Sequence, residues 1–81
     1  MKKEIEVLRK NQKSLIIEEI EKDEIYNVYM RNDDYRYDID LIDKRITVLD
    51  YDYDTGSWYD VETEALTDEE YRFFKDLIYL K

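Results

Sequence analysis

From residue 24 to residue 63, apolar and aromatic residues alternate with polar ones, and this period of two constrains the fold of the chain most strongly. In a β-strand, a period of two places neighbouring side chains on opposite faces of the sheet. Turn-forming residues interrupt the alternation at 32–33, 43–45 and 54–56. The pattern therefore predicts four strands, at about 24–31, 35–42, 46–53 and 57–63, joined as an antiparallel meander.

Both ends of the chain show helical patterns. Apolar residues at i, i+3 and i+4 spacing predict a helix over about 3–21, with two strands at 4–8 and 14–20 as the alternative. Thr67 and Glu70 have the spacing of a capping box, which predicts a second helix over about 68–80. The predicted fold is α+β, a single domain over residues 1–81 with the N-terminal and C-terminal helices packed on one face of the sheet.

The composition excludes several classes of function. The chain contains no Cys and no His, so it has no disulfide, no thiolate or imidazole zinc site and no histidine-based catalytic triad. It also lacks a glycine-rich phosphate loop, and no apolar run has the length of a membrane span or the pattern of a signal peptide. We therefore expect a protein that is not an enzyme, needs no cofactor and works in a reducing cytoplasm.

Charge is unevenly distributed along the chain. The 22 acidic and 13 basic residues give a net charge of −9. Residues 33–70 alone contain fourteen acids and three bases, a net charge of −11, whereas residues 1–22 have a net charge of +1. Such a field repels nucleic acids and membrane surfaces and attracts basic proteins, so we expect a protein partner.

The hairpin registers determine which acids share a face of the sheet. A two-residue loop at Asn32-Asp33 and a three-residue loop ending at Gly56, in the left-handed conformation, place Asp50 opposite Asp60 and Asp52 opposite Trp58. An odd-length loop at 43–45 then gives one consistent core face. That predicted core face consists of Tyr26, Val28, Met30, Tyr35, Tyr37, Ile39, Leu41, Leu49, Tyr51, Tyr53, Tyr59 and Val61. The predicted open face consists of Ile25, Asn27, Tyr29, Arg36, Asp38, Asp40, Ile42, Ile46, Val48, Asp50, Asp52, Trp58, Asp60 and Glu62.

Like charges directly opposite each other destabilise a sheet by a few tenths to about 1 kcal/mol per pair, so folding does not explain such an acidic face. Alternate residues on a strand are about 6.6 Å apart and neighbouring strands about 4.8 Å apart, and carboxylates at these spacings approximate successive phosphates. We therefore predict a partner-binding surface with aromatic anchors. Its predicted residues are Tyr29, Asp38, Asp40, Asp50, Asp52, Asp54, Trp58, Asp60 and Glu62.

Two other interpretations remain open. The D-x-D-x-D spacing of Asp50, Asp52 and Asp54, with Glu62 further on, resembles a calcium loop, but Gly56 stands one position too late. Alternatively, the acidic face is merely solvated and the protein is structural or oligomeric. Its dimer seam would then consist of Ile25, Tyr29, Ile42, Ile46, Val48 and Trp58.

In its size, its acidic segment 33–70 and its predicted element order, the chain resembles a broad class of small acidic inhibitors from phages and mobile elements. Anti-CRISPR and anti-restriction DNA mimics belong to this class, as do acidic immunity proteins and antitoxins that block nucleases. The resemblance implies an inhibitor in the bacterial host cytoplasm that binds a basic nucleic-acid-binding protein, such as a CRISPR effector or another nuclease. It rests on no diagnostic motif, so it assigns no role to any residue. Oligomeric state stays open.

Overall fold

The structure is a computed structural model that describes residues 2–31 and 33–80, with side chains from residue 4 onward. Its elements are α1 (Lys2–Lys10), a 3-10 turn (Gln12–Ser14), β1 (Leu15–Glu21), β2 (Ile25–Met30), β3 (Tyr35–Asp40), β4 (Arg45–Asp52), β5 (Ser57–Ala65) and α2 (Asp68–Leu80). The strands form one antiparallel sheet in the order β1-β2-β3-β4-β5. The predicted α+β class with a helix at each end is confirmed, although the sheet has five strands rather than four.

The predicted helix over 3–21 is wrong beyond Lys10. The Asn11 N–H donates to the carbonyl oxygens of Val7 and Leu8, both at 3.2 Å, and the chain then leaves the helix. Residues 15–21 form β1, in which Ile17 lies opposite Val28 of β2. Of the two alternative strands, the one at 14–20 is therefore confirmed, because pairing with β2 satisfies the backbone and suits the β-branched isoleucines. The one at 4–8 is wrong, because these residues lie in α1.

Both helices pack on the same face of the sheet. Leu8 of α1 and Phe74 of α2 are fully buried against a layer formed by Val28, Ile39 and Ile46 of the three central strands. We call this the helix side of the sheet. We call the opposite side, on which neither α1 nor α2 packs, the open face. Burial of these apolar side chains is the main favourable contribution to folding.

The predicted register of β2 and β3 is confirmed, with Val28 opposite Tyr37. Asn32, half of the predicted two-residue loop, lies outside the described residues. The Asp33 N–H donates to the Met30 carbonyl oxygen at 3.1 Å, which closes the turn.

The predicted register of β3 and β4 is wrong. The loop has four residues, 41–44, because Asp40 already shapes the turn: its Oδ1 accepts hydrogen bonds from the N–H groups of Ile42 and Asp43, both at 2.9 Å. Lys44, at φ +54°, completes the turn in the left-handed region. An even loop reverses the faces of β4 relative to the prediction.

The reversal exchanges the core residues of β4. Ile46 and Val48, predicted on the open face, lie opposite Ile39 and Tyr37 and are buried on the helix side. Leu49 and Tyr51, predicted in the core, lie on the open face, since Leu49 is opposite Arg36. The predicted dimer seam, which required exposed Ile46 and Val48, is therefore also wrong.

The β4–β5 hairpin has a four-residue loop, 53–56, instead of the predicted three. Gly56 is in the expected left-handed conformation, at φ +71°, and its N–H donates to the Asp52 carbonyl oxygen at 2.8 Å. Further along, a register shift leaves Val61 as an extra residue in β5. Before this bulge Asp60 lies opposite Leu49, and after it Glu62 lies opposite Val48.

The predicted capping box begins α2. The Thr67 N–H donates to Glu70 Oε1 at 2.8 Å, and the Glu70 N–H donates to Thr67 Oγ1 at 3.2 Å. Two tyrosines fix the helix to loops between the strands. The Tyr71 hydroxyl donates to the Leu41 carbonyl oxygen at 3.1 Å and the Tyr79 hydroxyl to Asp23 at 2.8 Å. No helix in the described part of the chain is long and apolar enough to cross a membrane.

Candidate functional site

The nine predicted binding residues do not share one face. Tyr29, Asp38, Asp40, Trp58 and Asp60 lie on the open face; Asp50, Asp52 and Glu62 lie on the helix side; Asp54 lies in the 53–56 loop. The predicted pairs Asp50–Asp60 and Asp52–Trp58 are wrong, because Asp50 lies opposite Tyr59 and Asp52 opposite Ser57. The continuous acidic face expected from the sequence is therefore absent from the described residues.

Arg36 organises the open face. Its guanidinium carbon lies 4.0 Å from the ring centroid of Tyr29 and 4.8 Å from that of Trp58, so the cation stacks between two aromatic rings. The Arg36 Nη1 atom also lies 4.0 Å from Glu18 Oε2. We attribute the burial of Leu49, 9% exposed on a face without a helix, to this stack. Both predicted aromatic anchors therefore contact Arg36 of the same chain.

Carboxylates on the open face also have partners within the chain. The buried Asn27 side chain donates to Asp38 Oδ1 at 2.8 Å, and the Tyr29 hydroxyl donates to Glu18 at 2.7 Å. The hydrogen bond to Glu18 raises the pKa of Tyr29, because it stabilises the protonated phenol. This face combines both charges with aromatic rings and is not a purely acidic surface.

Several tyrosines elsewhere also pair with aspartates. The Tyr59 hydroxyl donates to Asp50 at 3.3 Å, and the Tyr53 hydroxyl donates to Asp34 at 3.4 Å. The negative charge of Asp50 raises the pKa of Tyr59, and that of Asp34 raises the pKa of Tyr53. Folding therefore explains a part of the high Tyr and Asp content.

Other acids shape turns and the start of α2. Asp52 Oδ1 accepts hydrogen bonds from the N–H groups of Asp54 at 2.9 Å and Thr55 at 3.4 Å, as Asp40 does in the preceding loop. Glu69 forms an ion pair with Arg9 of α1 at 3.1 Å. Acids at the start of a helix also interact favourably with its dipole.

The remaining acids concentrate at β5 and the adjoining hairpin tip. We define the acidic edge as Asp54, in the 53–56 loop, and Asp60, Glu62 and Glu64, in β5. Between residues 46 and 71 the chain has nine acids and no Lys or Arg, so this stretch has a charge of −9, equal to that of the whole protein. All nine residues of β5 are exposed. Within the described part of the chain, none of the three β5 carboxylates forms an ion pair with Lys or Arg.

Glu64 is a member of the acidic edge that the sequence prediction missed. The predicted strand ended at residue 63, whereas β5 continues to Ala65. Desolvation, together with a hydrogen bond to Glu62 and the charge of Glu62, raises the pKa of Glu64. The signal available in the sequence was the absence of any base from residue 46 to residue 71.

Desolvation and the nearby charge of Glu62 both disfavour the ionised form of Glu64 in the free protein. A cation placed beside them would relieve this repulsion. The acidic edge is therefore suited to bind positive charge.

The geometry does not support the calcium interpretation. Among the described residues, no group of three or more Asp, Glu, His or Cys side chains could hold a metal ion. Asp50 and Asp52 belong to β4 and Asp54 to the β4–β5 loop, so no helix flanks the segment on either side, and Asp52 already accepts hydrogen bonds within its turn. The D-x-D-x-D segment instead forms part of the β4–β5 hairpin, in which Asp52 accepts hydrogen bonds from the turn.

The chain matches no protein-family model, and no curated protein or solved structure is significantly similar to it. The evidence for function therefore comes from the chemistry of its surface. Of the surface features described above, the acidic edge is the one whose side chains have the fewest structural roles within the chain.

Proposed function

We propose that the protein is a non-enzymatic inhibitor that binds a basic nucleic-acid-processing protein, such as a CRISPR effector or another nuclease, through the acidic edge. The observation that supports this most is the position of the base-free stretch 46–71, whose β5 carboxylates are exposed along one edge of the sheet. In this proposal the carboxylates occupy a Lys/Arg-lined site in place of phosphates, and the site is closed to DNA or RNA.

Charge and spacing both favour a nucleic-acid-binding cleft as the target. Such clefts contain clustered Lys and Arg side chains that neutralise phosphates. Glu62 and Glu64 lie on the same side of β5, opposite Val48 and Ile46, so their backbone positions are about 6.6 Å apart. This distance is of the same order as that between successive phosphates of one strand, and longer side chains can adjust it.

Opposed electric fields also accelerate the encounter of such partners. We expect fast association that weakens as the ionic strength rises from about 0.1 M to about 1 M, over which the Debye length falls from about 10 Å to about 3 Å. Affinity that is independent of salt over this range would contradict an electrostatic interface.

Affinity capture with two matched variants tests the proposal. The edge variant, Asp60→Asn/Glu62→Gln/Glu64→Gln, and a control variant, Glu19→Gln/Asp43→Asn/Asp76→Asn, remove the same number of charges from exposed positions. Each protein is immobilised and exposed to a bacterial lysate from which nucleic acid has been removed. We expect wild type and control to retain a basic nucleic-acid enzyme that added DNA displaces, and the edge variant to lose it.

Two results would contradict the proposal. One is retention of the same enzyme by the edge variant and the wild type, which would place binding elsewhere on the surface. The other is an enzyme that stays bound when DNA is added in excess. In that case the carboxylates do not occupy the nucleic-acid site.

A further inference from the structure

We infer that the partner binds β5 by strand addition: an extended, basic segment of the partner pairs with the free edge of β5 as a sixth strand of the sheet. The inference rests on the proposed function and specifies how the acidic edge is recognised. Edge strands bind extended segments in this way because their outer N–H and C=O groups have no strand to pair with.

The position and length of β5 support strand addition. In the sheet of the described residues, β5 has β4 as its neighbour on one side and no strand on the other. It has nine residues, all exposed, and is longer than β1, the seven-residue strand at the opposite edge. Of the features that commonly protect natural edge strands, β5 lacks short length, proline and lysine, but it has charged side chains and a bulge.

The negative charge of β5 determines which kind of strand can pair with this edge. Two copies of β5 paired with each other would place rows of carboxylates side by side, and like charges across a strand pair are destabilising. A basic segment would stabilise the strand pair, because its cations would lie beside Asp60, Glu62 and Glu64. The acids and the bulge at Val61 are the devices that protect this edge, and the acids exclude self-association without excluding a basic strand.

The bulge also specifies the pattern of the partner segment. Glu62 and Glu64 lie on the helix side of the sheet, whereas Asp60, before the bulge, lies opposite Leu49 on the open face. A partner segment with Lys or Arg at alternate positions would place its cations on one side of the sheet, beside Glu62 and Glu64. We therefore assign to the partner an extended segment of alternating basic and β-branched residues.

A pair of peptides separates strand addition from attraction between charges alone. The full-length protein, labelled with ¹⁵N, is titrated with acetyl-KVKVKVK-amide and with acetyl-KPKPKPK-amide, which has the same charge and length but cannot donate backbone hydrogen bonds at its prolines. We expect the valine peptide to bind about tenfold more tightly and to slow hydrogen exchange of alternate β5 amides about tenfold or more. The edge variant should lose this binding, and the control variant should keep it.

The results that would overturn strand addition differ from those that would overturn the proposed function. Equal affinity for the two peptides, with no added protection of β5 amides, would overturn strand addition and leave the inhibitor proposal standing. Protection of β1 amides in place of β5 would also overturn it, as would protection of β5 that increases with protein concentration when no peptide is present. The proposed function fails separately, when captured enzyme is not displaced by DNA.

Discussion

Replacing Ile46 with alanine tests the register of β3 and β4, on which the position of every β4 and β5 carboxylate depends. Ile46 is 0% exposed, whereas Ile42, four residues earlier, is 66% exposed and offers the same chemical change as a control. Removing three buried carbons costs about 2.4 kcal/mol at about 0.8 kcal/mol each. The cavity adds to this, so we expect a loss of about 3–4 kcal/mol for Ile46→Ala. Ile42→Ala should change the free energy of unfolding by less than about 0.5 kcal/mol.

Urea unfolding followed by the fluorescence of Trp58, the single tryptophan, measures both values. A domain of this size has a total stability of about 4–12 kcal/mol, so Ile46→Val provides a milder second substitution, expected to cost about 0.5–1.5 kcal/mol. Ile42→Val is its control. Equal effects at the two positions, or a loss below about 1 kcal/mol for Ile46→Ala, would refute the register.

Three further predictions concern the cap of α2 and two groups with raised pKa values. Thr67→Ala should lower the free energy of unfolding by about 1 kcal/mol in urea titrations, and Thr67→Ser should restore it; equal stability of all three proteins would contradict the capping box. Burial raises the pKa of Tyr37 to about 12. Stability should therefore fall between about pH 10, where the phenol of the unfolded chain ionises, and about pH 12, and it should fall less steeply in Tyr37→Phe. Identical pH profiles would contradict this. Finally, Glu62→Gln/Glu64→Gln should raise the melting temperature at pH 7, because the raised pKa of Glu64 means that its charged form opposes folding. The gain should vanish below about pH 4, where Glu64 is protonated, and a lower melting temperature at pH 7 would contradict it.

Elements with a strong local signal could be predicted from the sequence. The capping box at Thr67 and the left-handed Gly56 each depend on a few neighbouring residues, and both are confirmed. The pairing of Val28 with Tyr37 could be predicted because only one face of β2 and β3 is consistently apolar, and the structure confirms it. In these cases, local chemistry and the global fold agree.

The β4 register could not be predicted because both of its faces are apolar. Ile46 and Val48 occupy one face, and Leu49 and Tyr51 occupy the other, so the alternation alone does not decide which is buried. The length of the preceding loop decides, and that length depends on Asp40, which shapes the turn from the last position of β3.

Residues 15–21 posed a related ambiguity. Leu15, Ile16 and Ile20 fit the period of a helix, yet the segment becomes a strand because β2 offers it a pairing edge. Long-range pairing of this kind overrides local propensity. Secondary structure predicted from a single sequence cannot include it.

In the candidate site, too, one property could be predicted from the sequence and another could not. The concentration of acids in the segment 33–70 is a property of the sequence, and all members of the acidic edge lie in this segment. The arrangement of the acids depends on loop lengths and on the bulge at Val61, which move Asp50, Asp52 and Glu62 to the helix side. The predicted anchors Tyr29 and Trp58 are held by Arg36, a contact that joins β2, β3 and β5.

Competition between this protein and DNA for the captured enzyme tests the central claim most directly. Fluorescent duplex DNA is titrated against the enzyme at several fixed concentrations of the wild-type protein, of the edge variant and of the control variant. If carboxylates replace phosphates, the apparent Kd for DNA rises in proportion to the concentration of wild type or control, the signal at saturation is unchanged, and the edge variant has little effect. An apparent Kd for DNA that stays constant while the wild-type protein remains bound to the enzyme would contradict phosphate mimicry.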